Sequence, residues 1–97
     1  MSRLEQAEET IHRALSEIFE EELECDPGVL VTLTSVTATS DKKMYRVGLT
    51  VFPETEGVPV LRTILRRVPY FRSLLGEKIR SKSIPELSFV LETFKEI

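Results

Sequence analysis

Seven of the thirteen Lys and Arg residues in this 97-residue chain fall between positions 60 and 85. They are Arg62, Arg66, Arg67, Arg72, Lys78, Arg80 and Lys82, against a single acid in that stretch, Glu77. The planar guanidinium presents a fork of donors that matches phosphate in bidentate geometry. A cluster of this kind therefore points to binding of a nucleic-acid backbone. The spacing of Arg62, Arg66, Arg67 and Arg72 predicts that they share one side of a helix pair, with Lys78, Arg80 and Lys82 extending the track. Tyr70, just past the junction of the two helices, is the aromatic best placed to stack on an unpaired base. Phe71 fits the buried phase instead. Lys42, Lys43 and Arg46 make a second basic group near a turn. Contacts to phosphate position a protein without reading sequence, so recognition of RNA shape is expected.

The residue types needed for bond-making chemistry are not assembled. His12 is the only histidine, and it lies beside a helix stripe with no Ser, Cys or carboxylate arranged as a triad. Cys25 is the only cysteine, near a helix C-terminus among acids, where a thiolate is disfavoured. Neither a phosphate-cradling glycine loop nor a metal-ligand spacing occurs. The expectation is a binder with no catalytic residue, no cofactor and no metal.

An apolar fraction of 41% and a charged fraction of 30% fit one globular domain spanning residues 1–97. No apolar N-terminal run or membrane-length stretch is present, and one cysteine suits a reducing compartment. A cytoplasmic monomer without a membrane partner is the default. The net charge of −3 hides a strong asymmetry. Residues 1–26 carry nine acids and two bases, whereas residues 60–85 carry a local charge of +6. Patches of this kind govern local recognition.

The elements that position these groups follow from periodicity. Leu4, Ala7, Ile11, Ala14, Leu15, Ile18, Phe19 and Leu23 form a helix stripe from Ser2 to about Glu24. Ser2 and Glu5 make a capping-box pattern, and Asp26-Pro27-Gly28 stops the helix. Glu20-Glu21-Glu22 reads as a solvated face, although acids near a helix C-terminus oppose its dipole. Val29 to Thr39 reads as a strand whose apolar phase slips near Thr34-Ser35, which predicts a β-bulge. After a turn at 40–43, Tyr45, Val47, Leu49 and Val51 alternate as the second strand of a hairpin. Pro53 to Gly57 reads as a polar loop. Pro59 suits the first turn of a helix that buries Val60, Leu61, Ile64, Leu65 and Val68. Pro69, with its restriction on Val68, ends that helix and opens another carrying Phe71, Leu74, Leu75 and Ile79 inward. Leu87, Phe89 and Leu91 form the core phase of a third strand.

The order α-β-β-α-α-β predicts an α+β fold, a three-stranded sheet with its helices packed on one face. It is the order of a type II KH domain, but lacks the Gly-x-x-Gly loop by which KH domains clamp nucleic acid. Arg66-Arg67-Val68-Pro69 stands at that junction. Four further patterns occur in sequence: Ile11-His12-Arg13-Ala14-Leu15-Ser16-Glu17-Ile18, Leu33-Thr34-Ser35-Val36 with Ser40-Asp41, Tyr70-Phe71-Arg72-Ser73-Leu74-Leu75, and Ile84-Pro85-Glu86-Leu87-Ser88-Phe89. In order and spacing they resemble the ribosome-binding factor A family of bacterial small-subunit assembly factors. The family has a kinked Ala-x-Gly where Arg67-Val68-Pro69 stands here, and its members continue into a polar tail beyond the last strand. The resemblance implies a non-catalytic factor that binds the small (30S) subunit and its 16S rRNA near the 5′ terminal helix, and assists late rRNA maturation and assembly. The residues alone also admit a protein-interaction module on a KH-like scaffold, docking through the acidic first helix.

Overall fold

The computed structural model describes residues 2–41, 43–81 and 83–92. In chain order these form α1 (Arg3–Glu22), β1 (Leu30–Ala38), β2 (Met44–Phe52), α2 (Gly57–Arg66), α3 (Val68–Ile79) and β3 (Glu86–Leu91). The α-β-β-α-α-β order expected from periodicity is the observed one. Ser2 caps α1 by accepting the Glu5 N–H at 3.1 Å, and its hydroxyl donates to Glu5 Oε1 at 3.2 Å. The helix closes at Leu23, and Gly28 turns the chain with φ of 87°, a left-handed conformation that favours glycine.

In the sheet, β1 pairs antiparallel with β2, and β2 pairs parallel with β3. The register shifts between Leu33 and Ser35, so Thr34 is the extra residue of the expected bulge. The bulge returns Val36 to the face that Leu33 occupies, and both are buried. One face of the sheet presents Tyr45, Val47, Leu49, Val51 and Leu87 to the helices. Against it pack Leu15, Ile18, Ile64, Phe71 and Leu75, each with almost no exposed surface. Phe19 stands between the layers, its ring centroid 5.1 Å from Phe71 and 6.1 Å from Phe89. The opposite face of the sheet is left uncovered, with Thr32, Met44, Arg46 and Phe52 exposed.

Three local expectations are corrected. The stretch after Pro53 is not simply a loop: residues Glu54–Glu56 form a 3-10 turn that runs into α2 at Gly57. Leu65 is 51% exposed rather than buried, because the half-buried Leu61 and the buried Ile64 already fill the inward arc of the short α2. The break between helices falls at Arg67 (φ −109°, ψ 10°), two residues before Pro69. Val68 therefore starts α3 instead of finishing α2, and Pro69 sits in the first turn, where its missing N–H would have had no intrahelical partner.

Candidate nucleic-acid interface

The helix pair α2–α3 carries the basic cluster, but the structure divides it by use. Arg62 and Arg66 lie one turn apart on α2, both exposed, and neither forms a salt bridge among the described residues. Arg80 ends α3 in a left-handed conformation (φ 52°) and is also exposed. At 1.5 Å per residue, the twelve residues of α3 separate the junction from Arg80 by about 18 Å. The free bases thus mark the two ends of a track. Lys82 lies outside the described residues, as does Lys42; Lys43 and Arg46 are exposed at the hairpin and on the open sheet face.

Three other bases of the cluster are engaged within the fold. Arg67 Nη1 donates to the Glu22 carbonyl at 2.9 Å, and its guanidinium lies 4.9 Å and 5.0 Å from the ring centroids of Tyr70 and Phe71. Arg72 donates through Nε to Pro85 O and through Nη2 to Ile84 O, both at 3.0 Å, and pairs with Glu86 at 3.3 Å. Lys78 pairs with Glu17 on α1 at 3.1 Å, and that carboxylate raises the lysine's pKa. The expectation that Arg62, Arg66, Arg67 and Arg72 share one side is therefore corrected. Arg67 turns to the end of α1 and Arg72 to the start of β3, because both find backbone carbonyls there. Bonds from a charged group to backbone carbonyls are worth more than an exposed ion pair. Lys78 is accordingly the one of the three most easily recruited by a phosphate.

Arg67 also answers the electrostatic problem posed by α1. That helix has no base in its last turn and ends in acids. The guanidinium from the α2–α3 junction caps its terminal carbonyl and supplies the missing positive charge. The local sequence of α1 carries no sign of this partner, which lies 45 residues away.

Tyr70 is 42% exposed beside the junction, whereas Phe71 is fully buried, as the helix phase predicts. The Tyr70 phenol has its pKa pushed up, first by the neighbouring Glu22 carboxylate. One face of its ring is met by Arg67. His12 is half-buried, with Nε2 3.2 Å from the Leu33 carbonyl, a structural contact. Cys25 is exposed, and partial burial followed by the charge of Asp26 raises its thiol pKa, which keeps it protonated. Among the described residues no group of His, Cys, Asp and Glu could hold a metal ion, and no helix is long and apolar enough to cross a membrane.

Comparison with known proteins places this arrangement. A family model described as ribosome-binding factor A matches residues 3–96. Ribosome-binding factor A of Chloroherpeton thalassium is 40% identical over 90 residues, which cover 90% of this chain and 71% of the relative. The protein of the same name from Natranaerobius thermophilus is 32% identical over 89 residues, covering 90% and 67%. The crystal structure of ribosome-binding factor A from Thermus thermophilus superposes with a TM-score of 0.76 at 26% identity, covering 93% of this chain and 97% of that one. A homology model of the Thermus thermophilus factor, fitted into the cryo-EM map of a 30S–RbfA complex, gives 0.72 at 27% identity over 94% and 93%.

Proposed function

The chain belongs to the ribosome-binding factor A family, and from that premise we propose that it binds the small ribosomal subunit through 16S rRNA around the 5′ terminal helix. In this reading it assists late rRNA maturation and subunit assembly as a monomer, without a chemical step. The observation that carries it is the likeness to a Thermus thermophilus factor fitted into a map of its 30S complex. The chain's own residues supply the means: Arg62, Arg66 and Arg80 are exposed on the helix pair and form no ion pair among the described residues. Tyr70 offers the free part of its ring to an unpaired base.

The mechanism is differential binding. A factor that holds one rRNA arrangement better than another shifts the population toward it by the difference in affinity. Pro69 has no N–H, so a cradle of bare backbone donors at the junction is weakened, and side chains carry the phosphate contacts. Arg67 takes part as the residue that fixes the junction and the Tyr70 ring, and Arg72 as the one that fixes the start of β3. Lys78 and Lys82 extend the track.

Binding to purified small subunits at several salt concentrations tests the reading. With about three phosphates contacted, log affinity falls with log salt at a slope of about −2 to −3. A slope near zero would remove RNA as the ligand. Arg62→Glu with Arg66→Glu should abolish co-sedimentation with free small subunits while thermal unfolding stays unchanged. Retained co-sedimentation would show that the contact lies on another face.

A further inference from the structure

The free edge of β1 is closed along one half and open along the other. From Leu30 to Leu33 the antiparallel register runs without a shift. The Leu33 carbonyl meets His12 Nε2 at 3.2 Å, so the core-facing residues of this strand turn their backbone groups away from β2. Further along, the Ala38 N–H donates to Glu8 Oε2 at 2.7 Å. Glu8 and His12, one turn apart on α1, thus occupy the edge between Leu33 and Ala38 and block further strand pairing there. Val31 shares the phase of Leu33, so its N–H and C=O also point off the sheet. Among the described residues no side chain takes them.

Beside this open half lies a groove of about 470 Å³ between α1 and β1. Its floor is Phe19, Leu23, Val29 and Val31, and Glu20 stands on its rim. On the opposite face of the strand, Leu30 and Phe52 are register partners and each is 67% exposed. An added strand meets apolar surface on both of its faces here. Near the Val29 end stand Glu24 and Asp26, exposed like Glu20, and none of the three has an ion-pair partner among the described residues.

We infer that the Val29–Leu33 edge takes an extended peptide with apolar residues at alternate positions and flanking lysine or arginine, added to the sheet as a further strand. Main-chain bonds to Val31 hold the peptide in register, alternate side chains fill the groove over Phe19 and Leu23, and the flanking bases answer Glu20, Glu24 and Asp26. The groove is lined by α1, β1 and the segment between them, and only the acids Glu24 and Asp26 at its end also border α2.

The probe is the blocked heptapeptide Lys-Val-Lys-Val-Thr-Val-Lys, titrated into the full chain and followed by amide NMR shifts and fluorescence anisotropy. Saturable binding is expected, with shifts centred on Val29–Leu33 and slowed exchange of the Val31 amide. Glu20→Lys with Glu24→Lys should weaken it about tenfold. Val31→Pro removes a donor the ladder does not use and should abolish binding. If that variant does not fold, N-methylation of the peptide valines removes the bonds from the other side, with the same expected loss. The inference is overturned by absence of saturation at millimolar peptide, or by shifts confined to α2–α3. Equal affinity for the peptide with Glu in place of Lys overturns it too, as does self-association through this edge that the peptide does not compete.

Discussion

Two neighbouring arginines have opposite roles. Arg66 ends α2 in solvent, while Arg67 is drawn back over two aromatic rings to the terminal carbonyl of α1. The difference predicts different costs of removal. Arg67→Ala loses a charge-assisted bond and the ring contacts and should lower unfolding free energy by about 1–3 kcal/mol. Arg66→Ala should stay within about 0.5 kcal/mol. Arg67→Lys keeps the charge but not the planar fork, and should recover only part of the loss. Urea denaturation of the three variants measures this. Tyr70 offers a titration. The neighbouring Glu22 carboxylate favours its neutral phenol, so its folded pKa lies above the ordinary value. What this contact contributes to folding is complete below the ordinary phenol range and fades as pH rises through the raised value. An NMR titration of Tyr70 should give a midpoint above about 10, and Glu22→Gln should bring it down.

At the scale of elements, the bulge in β1 and the end of β3 form one unit across the middle strand. Glu92 follows β3, its N–H bonded to Leu49 O at 2.7 Å, and its carboxylate reaches over Gly48. There it accepts from Thr34 Oγ1 at 2.7 Å and Ser35 Oγ at 3.2 Å. A Cβ at position 48 would meet the end of that flexible side chain, which must shift to make room. Gly48→Ala should cost about 1 kcal/mol by displacing Glu92 from its exposed bonds to Thr34 and Ser35. In the Glu92→Ala background the same change should cost less, by about 0.5 kcal/mol or more. Thermal unfolding of the four-member cycle decides it. The sequence makes half of this unit visible. The bulge shows as a phase slip between Leu33 and Val36, because a two-residue period cannot absorb an extra residue silently. Likewise Ser2 with Glu5, and Pro59 with Pro69, mark helix starts through local chemistry. Glu92 above Gly48 leaves no periodic trace, since its partners are 57 and 58 residues distant. The same holds for Arg67, Arg72 and Lys78. Composition shows a basic cluster, but which bases are free depends on carbonyls and carboxylates supplied by other elements. Leu65 was hidden for a related reason: on a ten-residue helix the width of the buried arc is set by its neighbours.

Across the whole molecule, charge is segregated, and part of that segregation is spent internally. The acidic α1 lies against α3, where Lys78 meets Glu17 and Arg67 caps the helix end. Among the described bases of the helix pair, Arg62, Arg66 and Arg80 remain without an ion pair, on a chain whose net charge is −3. Two consequences of ionic strength can then be separated. Inside the fold, the Glu17–Lys78 and Glu9–Arg13 pairs are exposed, and pairs of that kind contribute little at any salt concentration. Screening also relieves repulsion among the acids of α1, which offsets the lost attraction. Between 50 and 500 mM salt the unfolding midpoint should therefore move by only a few degrees, about 1 kcal/mol at this chain length. The proposed RNA contact responds differently, since each phosphate engaged releases a counterion. A slope of about −2 to −3 over the same tenfold rise lowers small-subunit affinity by two to three orders of magnitude. Parallel calorimetry and sedimentation across that range should show a nearly constant fold and a steeply falling affinity. If both decline together, salt acts by opening the α1–α3 contact, and the free arginines are not what holds the subunit.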